Sequence, residues 1–351
     1  MKSPLPRILA PLTVPASWMY GAAIARRNAR FNRGVGVQRI DRPVISVGNI
    51  TTGGTGKTPM VMHIARLLRE AGHHPVIAMR GYRAIPGALS DEQAEYAEVI
   101  PEVPVLANPD RIDALRRFLP DNPAVDCVIL DDGFQHRQLH RDLDLVLIDA
   151  QAGTFNGRLL PAGQLREPLA NLKRADAVVV TRAETEIPNL KTQIEEHHGG
   201  PPQAWSRHRW THLEIHNRET CRRRENLAWL GGKRVLTMLG VGNPDAIIRQ
   251  VETNGGEVAV NIPAGDHEEF DRAKIATTRG LCEACEAMVV TGKDWVKLRN
   301  LIDLPHWPVP IVVPRMEIEV FVGAVQLCQR VLGVFGRPPA NPHISPRAER
   351  C

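Results

Sequence analysis

A glycine-rich segment between Val44 and Pro59, with the sequence VISVGNITTGGTGKTP, contains the residue types that bind phosphate. Its apolar beginning predicts a buried strand, and the apolar spacing after Thr58 predicts a helix. A strand, a glycine loop, a Lys-Thr pair and a helix in this order are typical of a P-loop, in which backbone N–H groups face phosphate oxygens. The loop departs from the usual spacing at Thr51, which stands in the first glycine position. We predict that a nucleotide is bound by Gly53, Gly54, Thr55, Gly56, Lys57 and Thr58.

Two neighbouring acids, Asp131 and Asp132, directly follow another apolar run. An acid at the end of a strand in a P-loop protein holds Mg²⁺ directly or through water, and the hydroxyl of Thr58 is predicted to be a further ligand. The residues leave open which of the two acids binds the ion directly. Gln135 and His136 follow in the same short loop, so we predict that they lie near the terminal phosphates.

Transfer of a phosphoryl group to an alcohol would also require a side chain that accepts the hydroxyl proton. A carboxylate or an imidazole close to the γ-phosphate could do this. The candidates are Asp91, Asp149, Asp266 and His267, and the residue types alone do not choose among them.

A loop rich in Gly and Pro runs from Asn156 to Pro168 and carries Arg158 and Arg166. Arginines on such a loop suit an anionic substrate or the charge that develops on a transferred phosphoryl group. Alternatively, they pair with nearby acids such as Glu167 and have a structural role.

The elements that position these residues are predicted by apolar, β-branched runs that alternate with helices or longer connections. This pattern indicates an α/β fold with a mostly parallel, P-loop NTPase-like sheet that is covered by helices on both faces. A smaller α/β domain is predicted to follow, joined by a β-hairpin linker. The predicted boundaries are an N-terminal segment 1–42, a nucleotide-binding domain 43–207, a hairpin linker 208–230, a C-terminal domain 231–337 and a tail 338–351.

The positive charge is concentrated at the N-terminus. Residues 1–42 contain eight Lys or Arg and one Asp, a net charge of +7, whereas the whole chain carries +5 and the remainder therefore −2. This distribution argues against a nucleic-acid-binding surface. The uncharged run from Ile8 to Ala25 has 18 residues, near the lower limit for a membrane span, but it contains two prolines. We predict an interfacial segment on an anionic membrane; packing on the protein's own core is the alternative.

The motifs together resemble those of the tetraacyldisaccharide 4'-kinase (lipid A 4'-kinase) family. The matching motifs, in order, are GNITTGGTGKTP, RGY, the pair Asp91-Glu92, LDDGFQH, NGRLLPAGQLREP, Asp266-His267 and TGKDWVKL. The resemblance implies a membrane-associated kinase on the cytoplasmic face of the bacterial inner membrane. It also implies transfer of a phosphoryl group from ATP, with Mg²⁺, to the 4'-hydroxyl of a lipid A disaccharide 1-phosphate precursor, which yields lipid IVA.

The resemblance further implies roles for individual residues. Asp91 matches the catalytic base and His267 the histidine that partners it, with Lys57 acting on the phosphates. The predicted substrate residues on the family's active-site loop are Asn156, Arg166 and Glu167. The family pattern also implies that closure of the two domains completes the Asp–His pair.

The alternative class is a P-loop ATPase or GTPase that acts as a nucleotide switch or metallochaperone. Thr181-Arg182-Ala183-Glu184 resembles the guanine-reading [NT]-K-x-D element only weakly, because Arg and Glu replace the Lys and Asp.

Overall fold

The computed structural model describes residues 10–81, 91–218, 222–241, 244–264 and 270–336. For residues 10–12, 91, 92 and 156 it describes the backbone only. Two candidate bases, Asp266 and His267, therefore lie outside the described residues, as do residues 1–9 of the predicted N-terminal segment 1–42.

Helices and strands alternate along much of the described chain. The helices are α1 (Ala10–Asn32), α2 (Lys57–Glu70), α3 (Asp91–Val99), α4 (Arg111–Phe118), α5 (Pro188–His198), α6 (Pro244–Thr253), α7 (Arg272–Cys282), α8 (Gly292–Leu298) and α9 (Ala324–Leu332). The strands are β1 (Val44–Asn49), β2 (Pro75–Met79), β3 (Val105–Ala107), β4 (Cys127–Asp131), β5 (Leu143–Asp149), β6 (Ala177–Thr181), β7 (Ala204–His216), β8 (Arg223–Glu225), β9 (Arg234–Leu239), β10 (Glu257–Pro263), β11 (Ala287–Val290) and β12 (Ile311–Val322).

The contacts between residues divide the chain into two compact units. Unit 1 comprises the described parts of 1–82, 100–207 and 318–351, and unit 2 those of 83–99 and 208–317. Unit 2 includes the predicted hairpin linker 208–230, and two further segments lie in a different unit from the predicted domain. Helix α3 belongs to unit 2, where it packs on α8 and its Glu98 pairs with Arg315. The end of β12 and α9 belong to unit 1, where α9 packs on α2.

Unit 1 is built on a parallel sheet with the strand order β7-β6-β5-β1-β4-β2-β3. All residues of β1, β2, β4, β5 and β6 are buried, as expected for a parallel sheet that is covered on both faces. Strand β4 lies beside β1 with Asp131 opposite Val47. Because parallel strands end at the same edge, the P-loop after β1 and the acids after β4 emerge side by side.

Helix α2 shows how local sequence signals set the ends of an element. Its apolar side, which includes Met60, Ile64 and Leu68, is fully buried. The helix is preceded by Gly56 and followed by Gly72, which have φ values of 80° and 88°. Only glycine adopts this left-handed region without strain, so the two glycines start and stop the helix cleanly.

Unit 2 has its own parallel strands in the order β10-β9-β11-β12. Strand β8 pairs with β7 in the antiparallel direction, with Leu213 opposite Glu225. A separate apolar core contains Leu236, Met288, Trp295 and Ile311. The predicted fold class, a mostly parallel P-loop-like α/β fold with a second α/β unit, is confirmed.

Helix α1 packs one face on unit 1, which bears on the predicted role of the N-terminal segment. Thr13, Ser17, Ile24 and Asn28 recur at helical spacing and are buried. No helix in the described part of the chain combines the length and apolar character needed to cross a membrane.

Candidate active site

The loop between β1 and α2 forms an open cradle of backbone groups. Gly53 and Gly56 have φ values of 100° and 80°, which other residues adopt only with strain. A Cβ atom added at Gly53 or Gly54 would meet no atom within 4 Å, so the surface above these glycines is open. The first N–H groups of α2 and its partial positive charge lie next to this surface. The loop therefore has the shape and polarity that bind a phosphate group.

Side chains from neighbouring strands hold this loop in place. The Asn49 amide donates to the Thr55 hydroxyl (2.7 Å), and the Thr181 hydroxyl donates to the Thr55 carbonyl (2.9 Å). The Arg182 guanidinium donates to the carbonyl of Gly54 (2.6 Å) and pairs with Asp149. The sequence analysis did not identify Asn49 or this role of Thr181 and Arg182. Asp149, one of the candidate bases, is occupied by this pairing in the structure.

The acids at the end of β4 lie beside the loop. Asp131 is buried, whereas the Asp132 carboxylate is partly exposed, and Asp132 adopts a left-handed φ of 52°. The Asp132 carboxylate accepts hydrogen bonds from Nη1 of Arg166 at 2.7 and 2.9 Å and lies 3.7 Å from Nζ of Lys57. Burial would raise the pKa of Asp132, but Lys57 and Arg166 outweigh it and lower the pKa below its usual value. Asp132 is therefore ionised at neutral pH.

A buried arginine, Arg111, donates hydrogen bonds to the backbone of the two acids. Arg111, the first residue of α4, donates from Nη1 to the backbone carbonyls of Asp131 (3.2 Å) and Asp132 (3.3 Å). Burial lowers the pKa of Arg111, and the two acids oppose that shift. Arg111 was not predicted to belong to the site, because the local signal here, the capping residue Asp110, marks only the start of α4.

The loop after β4 packs closely against β1. A Cβ atom at Gly48 would lie 2.5 Å from the Phe134 nitrogen, and one at Gly133 would lie 2.3 Å from the Ser46 hydroxyl. Only glycine fits at either position, so these residues allow the loop after β4 to lie directly on the strand.

Gln135 and His136 lie in this loop, as predicted. The Gln135 amide donates to the Asn49 carbonyl (2.9 Å) and its oxygen accepts from Arg166 (3.3 Å). Burial, followed by Arg111 and Arg141, lowers the pKa of His136 to about 4. His136 is therefore neutral at physiological pH.

The predicted substrate loop runs alongside the P-loop. The Arg166 N–H donates to the Ile50 carbonyl and the Thr52 N–H to the Gln164 carbonyl, each at 2.8 Å. These bonds direct the Arg166 guanidinium towards Asp132. For Asn156 only the backbone is described.

Glu167, the next residue, has different partners from Arg166. Its carboxylate is fully buried and accepts hydrogen bonds from Arg174 (2.8 Å), Asn28 (2.8 Å) and Asn171 (2.7 Å). Burial would raise the pKa of Glu167, but Arg174 and Asn28 outweigh it and lower the pKa. This environment suits a residue that holds α1 and the loop together, and a substrate contact of Glu167 stays a prediction.

The oxygen donors at this edge fit a magnesium ion. Thr58, Asp131 and Asp132 offer a hydroxyl and two carboxylates, which are hard ligands of the kind that Mg²⁺ prefers. Within the described ranges, no group of three His, Cys, Asp or Glu could hold a metal by itself. This is compatible with Mg²⁺, which is usually held by one or two carboxylates together with substrate phosphates.

The structure thus brings together Lys57, Thr58, Asp131, Asp132, Gln135 and Arg166 at one edge of the sheet in unit 1. Asp91 begins α3 in unit 2, and its side chain is not described. His267 lies outside the described residues. The predicted roles of both residues therefore stay predictions.

Comparisons with known proteins agree over nearly the whole chain. A profile of the family described as LpxK, tetraacyldisaccharide-1-P 4'-kinase, matches residues 9–331. A tetraacyldisaccharide 4'-kinase of Anaeromyxobacter sp. (strain K) is 36% identical over 362 residues, covering 97% of this chain and 94% of that protein. Another, from Geobacter sulfurreducens, is 34% identical and covers 82% of this chain and 84% of that protein.

A solved structure is also similar. The crystal structure of LpxK from Aquifex aeolicus, described as an "apo" form in complex with ATP, has a TM-score of 0.70 and 26% identity, and the match covers 93% of this chain and 99% of that one. The P-loop, the acids after β4 and the loop with Arg166 lie within the matched family region, and the chain belongs to the tetraacyldisaccharide-1-phosphate 4'-kinase family.

Proposed function

We propose that this ATP-dependent kinase, which phosphorylates the 4'-hydroxyl of a tetraacyldisaccharide 1-phosphate, binds the ATP phosphates on the loop from Gly53 to Thr58. The observation that carries this proposal is the convergence of Lys57, Asp132 and Arg166 beside an open P-loop. Lys57 and Arg166 are the cations that would contact the terminal phosphates. Asp132 keeps both cations at the site, because it pairs with each of them.

Magnesium would be held by Thr58 and by Asp131 or Asp132, and when bound it neutralises charge on the β- and γ-phosphates. The remaining work of the protein is to position the reactants and to accept one proton. The acceptor hydroxyl loses its proton to a base, its oxygen forms a bond to the γ-phosphorus, and the bond between that phosphorus and the bridging oxygen of ADP breaks. We assign the base to Asp91, with His267 as its partner, on the resemblance of their motifs to the family.

The lipid acceptor would be reached from a membrane surface, and the exposed face of α1 suits this. Trp18 and Met19 are each 76% exposed, although large apolar side chains are usually buried. Arg26 and Arg30 are also exposed on the later turns of the helix, and the exposed Arg33 follows its end. The apolar residues Trp18 and Met19, followed by arginines, match the order of the acyl region and the anionic headgroups in a membrane. We therefore propose peripheral binding to the cytoplasmic face of the inner membrane through α1.

A transfer assay tests the proposed function. Purified protein is incubated with γ-labelled ATP, Mg²⁺ and tetraacyldisaccharide 1-phosphate, with unlabelled GTP as competitor. We expect label in the lipid that excess GTP does not remove, and Asp91→Ala should lower kcat by roughly 10²-fold or more, the usual range for a general base.

The result also separates the kinase from a nucleotide switch. A switch or metallochaperone would hydrolyse nucleotide without labelling the lipid. Membership of the kinase family does not favour that alternative. If Asp91→Ala changed only the affinity for ATP, the base would have to be another residue.

A further inference from the structure

Helix α1 is directly bonded to the loop that carries Arg166. The Ser17 hydroxyl accepts from the N–H of Ala162 (3.0 Å), and its single hydrogen is shared between the carbonyls of Leu159 and Thr13, each at 2.9 Å. One turn further along, the Tyr20 hydroxyl donates to the carbonyl of Arg166 (2.9 Å). Two side chains of α1 therefore fix the loop at three backbone positions.

The opposite side of the same loop is bonded to the P-loop. The N–H of Arg166 donates to the Ile50 carbonyl, and the Gln164 carbonyl accepts from Thr52. The backbone of Arg166 is thus held from both sides, by Tyr20 at its carbonyl and by Ile50 at its N–H. From this backbone the Arg166 side chain extends to Asp132, to which its Nη1 donates at 2.7 Å.

Tyr20 can donate this bond at neutral pH. Burial is the main cause of a raised pKa of Tyr20, and Arg27 opposes it. The hydroxyl therefore stays protonated and continues to donate. Trp18 and Met19, the exposed residues of α1, lie between Ser17 and Tyr20 in the chain, so the exposed tip and the bonded face share one helical turn.

We infer that Tyr20 and Ser17 are positioning residues for phosphoryl transfer, because they hold the backbone of the Arg166 loop against the P-loop and thereby align the Arg166 side chain. Helix α1 would then support the active-site loop as well as face the membrane. The inference rests on the proposed kinase function of the same site.

The test is a double-mutant cycle in the lipid transfer assay. Tyr20→Phe removes one hydroxyl and keeps the ring, and we expect kcat to fall about fivefold with little change in KM for ATP, as for loss of one hydrogen bond. In an Arg166→Lys background the same substitution should change kcat less than about twofold, because Tyr20 acts through Arg166. Ser17→Ala should behave in the same way.

The control variant is Thr192→Val. Its hydroxyl donates to the Pro188 carbonyl within α5 (3.2 Å), and this bond is exposed. Like Tyr20→Phe, it removes one helical hydroxyl that donates to a backbone carbonyl, and we expect unchanged kcat. All variants are compared at equal folded fraction, measured by thermal unfolding.

Hydrogen exchange gives a second readout that does not depend on turnover. In Tyr20→Phe, amides of residues 158–167 should exchange faster than in wild type, and in Thr192→Val they should not. The inference would be overturned if Tyr20→Phe left both kcat and the amide exchange of residues 158–167 unchanged. It would also be overturned if Tyr20→Phe lowered kcat equally with and without Arg166→Lys. If the wild-type protein failed to label the lipid, the proposed function itself would fail, so the two failures are distinguishable.

Discussion

Replacing Glu167 with alanine should destabilise unit 1 strongly. The Glu167 carboxylate is 0% exposed and lies 2.8 Å from Nη1 of Arg174, whose side chain is 10% exposed. Removing one partner of a buried ion pair costs about 3–5 kcal/mol, because the other charge loses its counter-ion in a dry environment. Arg174 would keep its bond to the Phe134 carbonyl and its contact with the Phe134 ring, so we expect the lower end of this range.

For a protein of this size, the loss in free energy of unfolding can be expressed as a decrease in Tm. At roughly 2 °C per kcal/mol for a protein of this size, Glu167→Ala should lower Tm by about 6 °C. Glu167→Gln keeps an acceptor for the two asparagines and should cost less. The assay is thermal unfolding followed by far-UV circular dichroism at neutral pH.

Glu319→Ala serves as the matched control. Glu319 pairs with Arg207 at 3.0 Å, but both side chains are about one-third exposed. Exposed pairs contribute little to stability, so this variant should melt almost like wild type. If the Tm of Glu167→Ala lay within about 1 °C of the Glu319→Ala value, the buried pair would contribute no more to stability than an exposed one, contrary to this prediction.

The pH dependence provides an internal check on the same residue. The pKa of Glu167 is lowered in the folded state, so its ionised form stabilises the protein above the unfolded pKa of about 4.3. That contribution is lost as pH falls through the lower folded pKa. The difference in Tm between wild type and Glu167→Gln should therefore shrink below about pH 4.

Three further predictions concern the P-loop, the histidine and the membrane face. Arg182→Ala should raise KM for ATP about tenfold in steady-state kinetics, because the charged hydrogen bond to Gly54 is lost, and a fall in kcat alone would contradict this. The His136 ring, with a pKa of about 4, should not titrate by NMR between about pH 5.5 and 8. The free energy of unfolding should fall as pH decreases from about 6.5 to 4, because the unfolded chain binds more protons there. An NMR midpoint near 6.5 would be inconsistent with burial of the ring. Trp18→Ser with Met19→Ser should reduce flotation with anionic vesicles, whereas equal binding would reject the membrane face.

Much of unit 1 could be predicted because its signals are local. The strand β1 is a continuous apolar run, and Gly56-Lys57-Thr58 marks the start of α2. Asp131 follows an apolar run in the same way, and the rule that parallel strands end at one edge places it near the P-loop. Family membership was also predictable, since several motifs occur in one order along the chain.

The supporting residues could not be predicted, because their partners are distant in sequence. Arg182 contacts Gly54 across 128 positions, and the pairing exists only because β6, β5 and β1 are neighbours in the sheet. Arg111 supports the acids from a helix whose sequence shows no sign of that contact. The assignment of α3 to unit 2 likewise depends on Glu98, which pairs with Arg315 more than two hundred residues later.

The most direct test of the central claim is to locate the transferred phosphate in the product. Tetraacyldisaccharide 1-phosphate is incubated with ATP, Mg²⁺ and either the wild-type protein or Lys57→Ala, and the product is analysed by mass spectrometry and ³¹P NMR. We expect one new phosphate on the 4'-oxygen with the wild-type protein and none with Lys57→Ala, although that variant keeps the wild-type fold. A phosphate at another position, or normal product formation by Lys57→Ala, would contradict it.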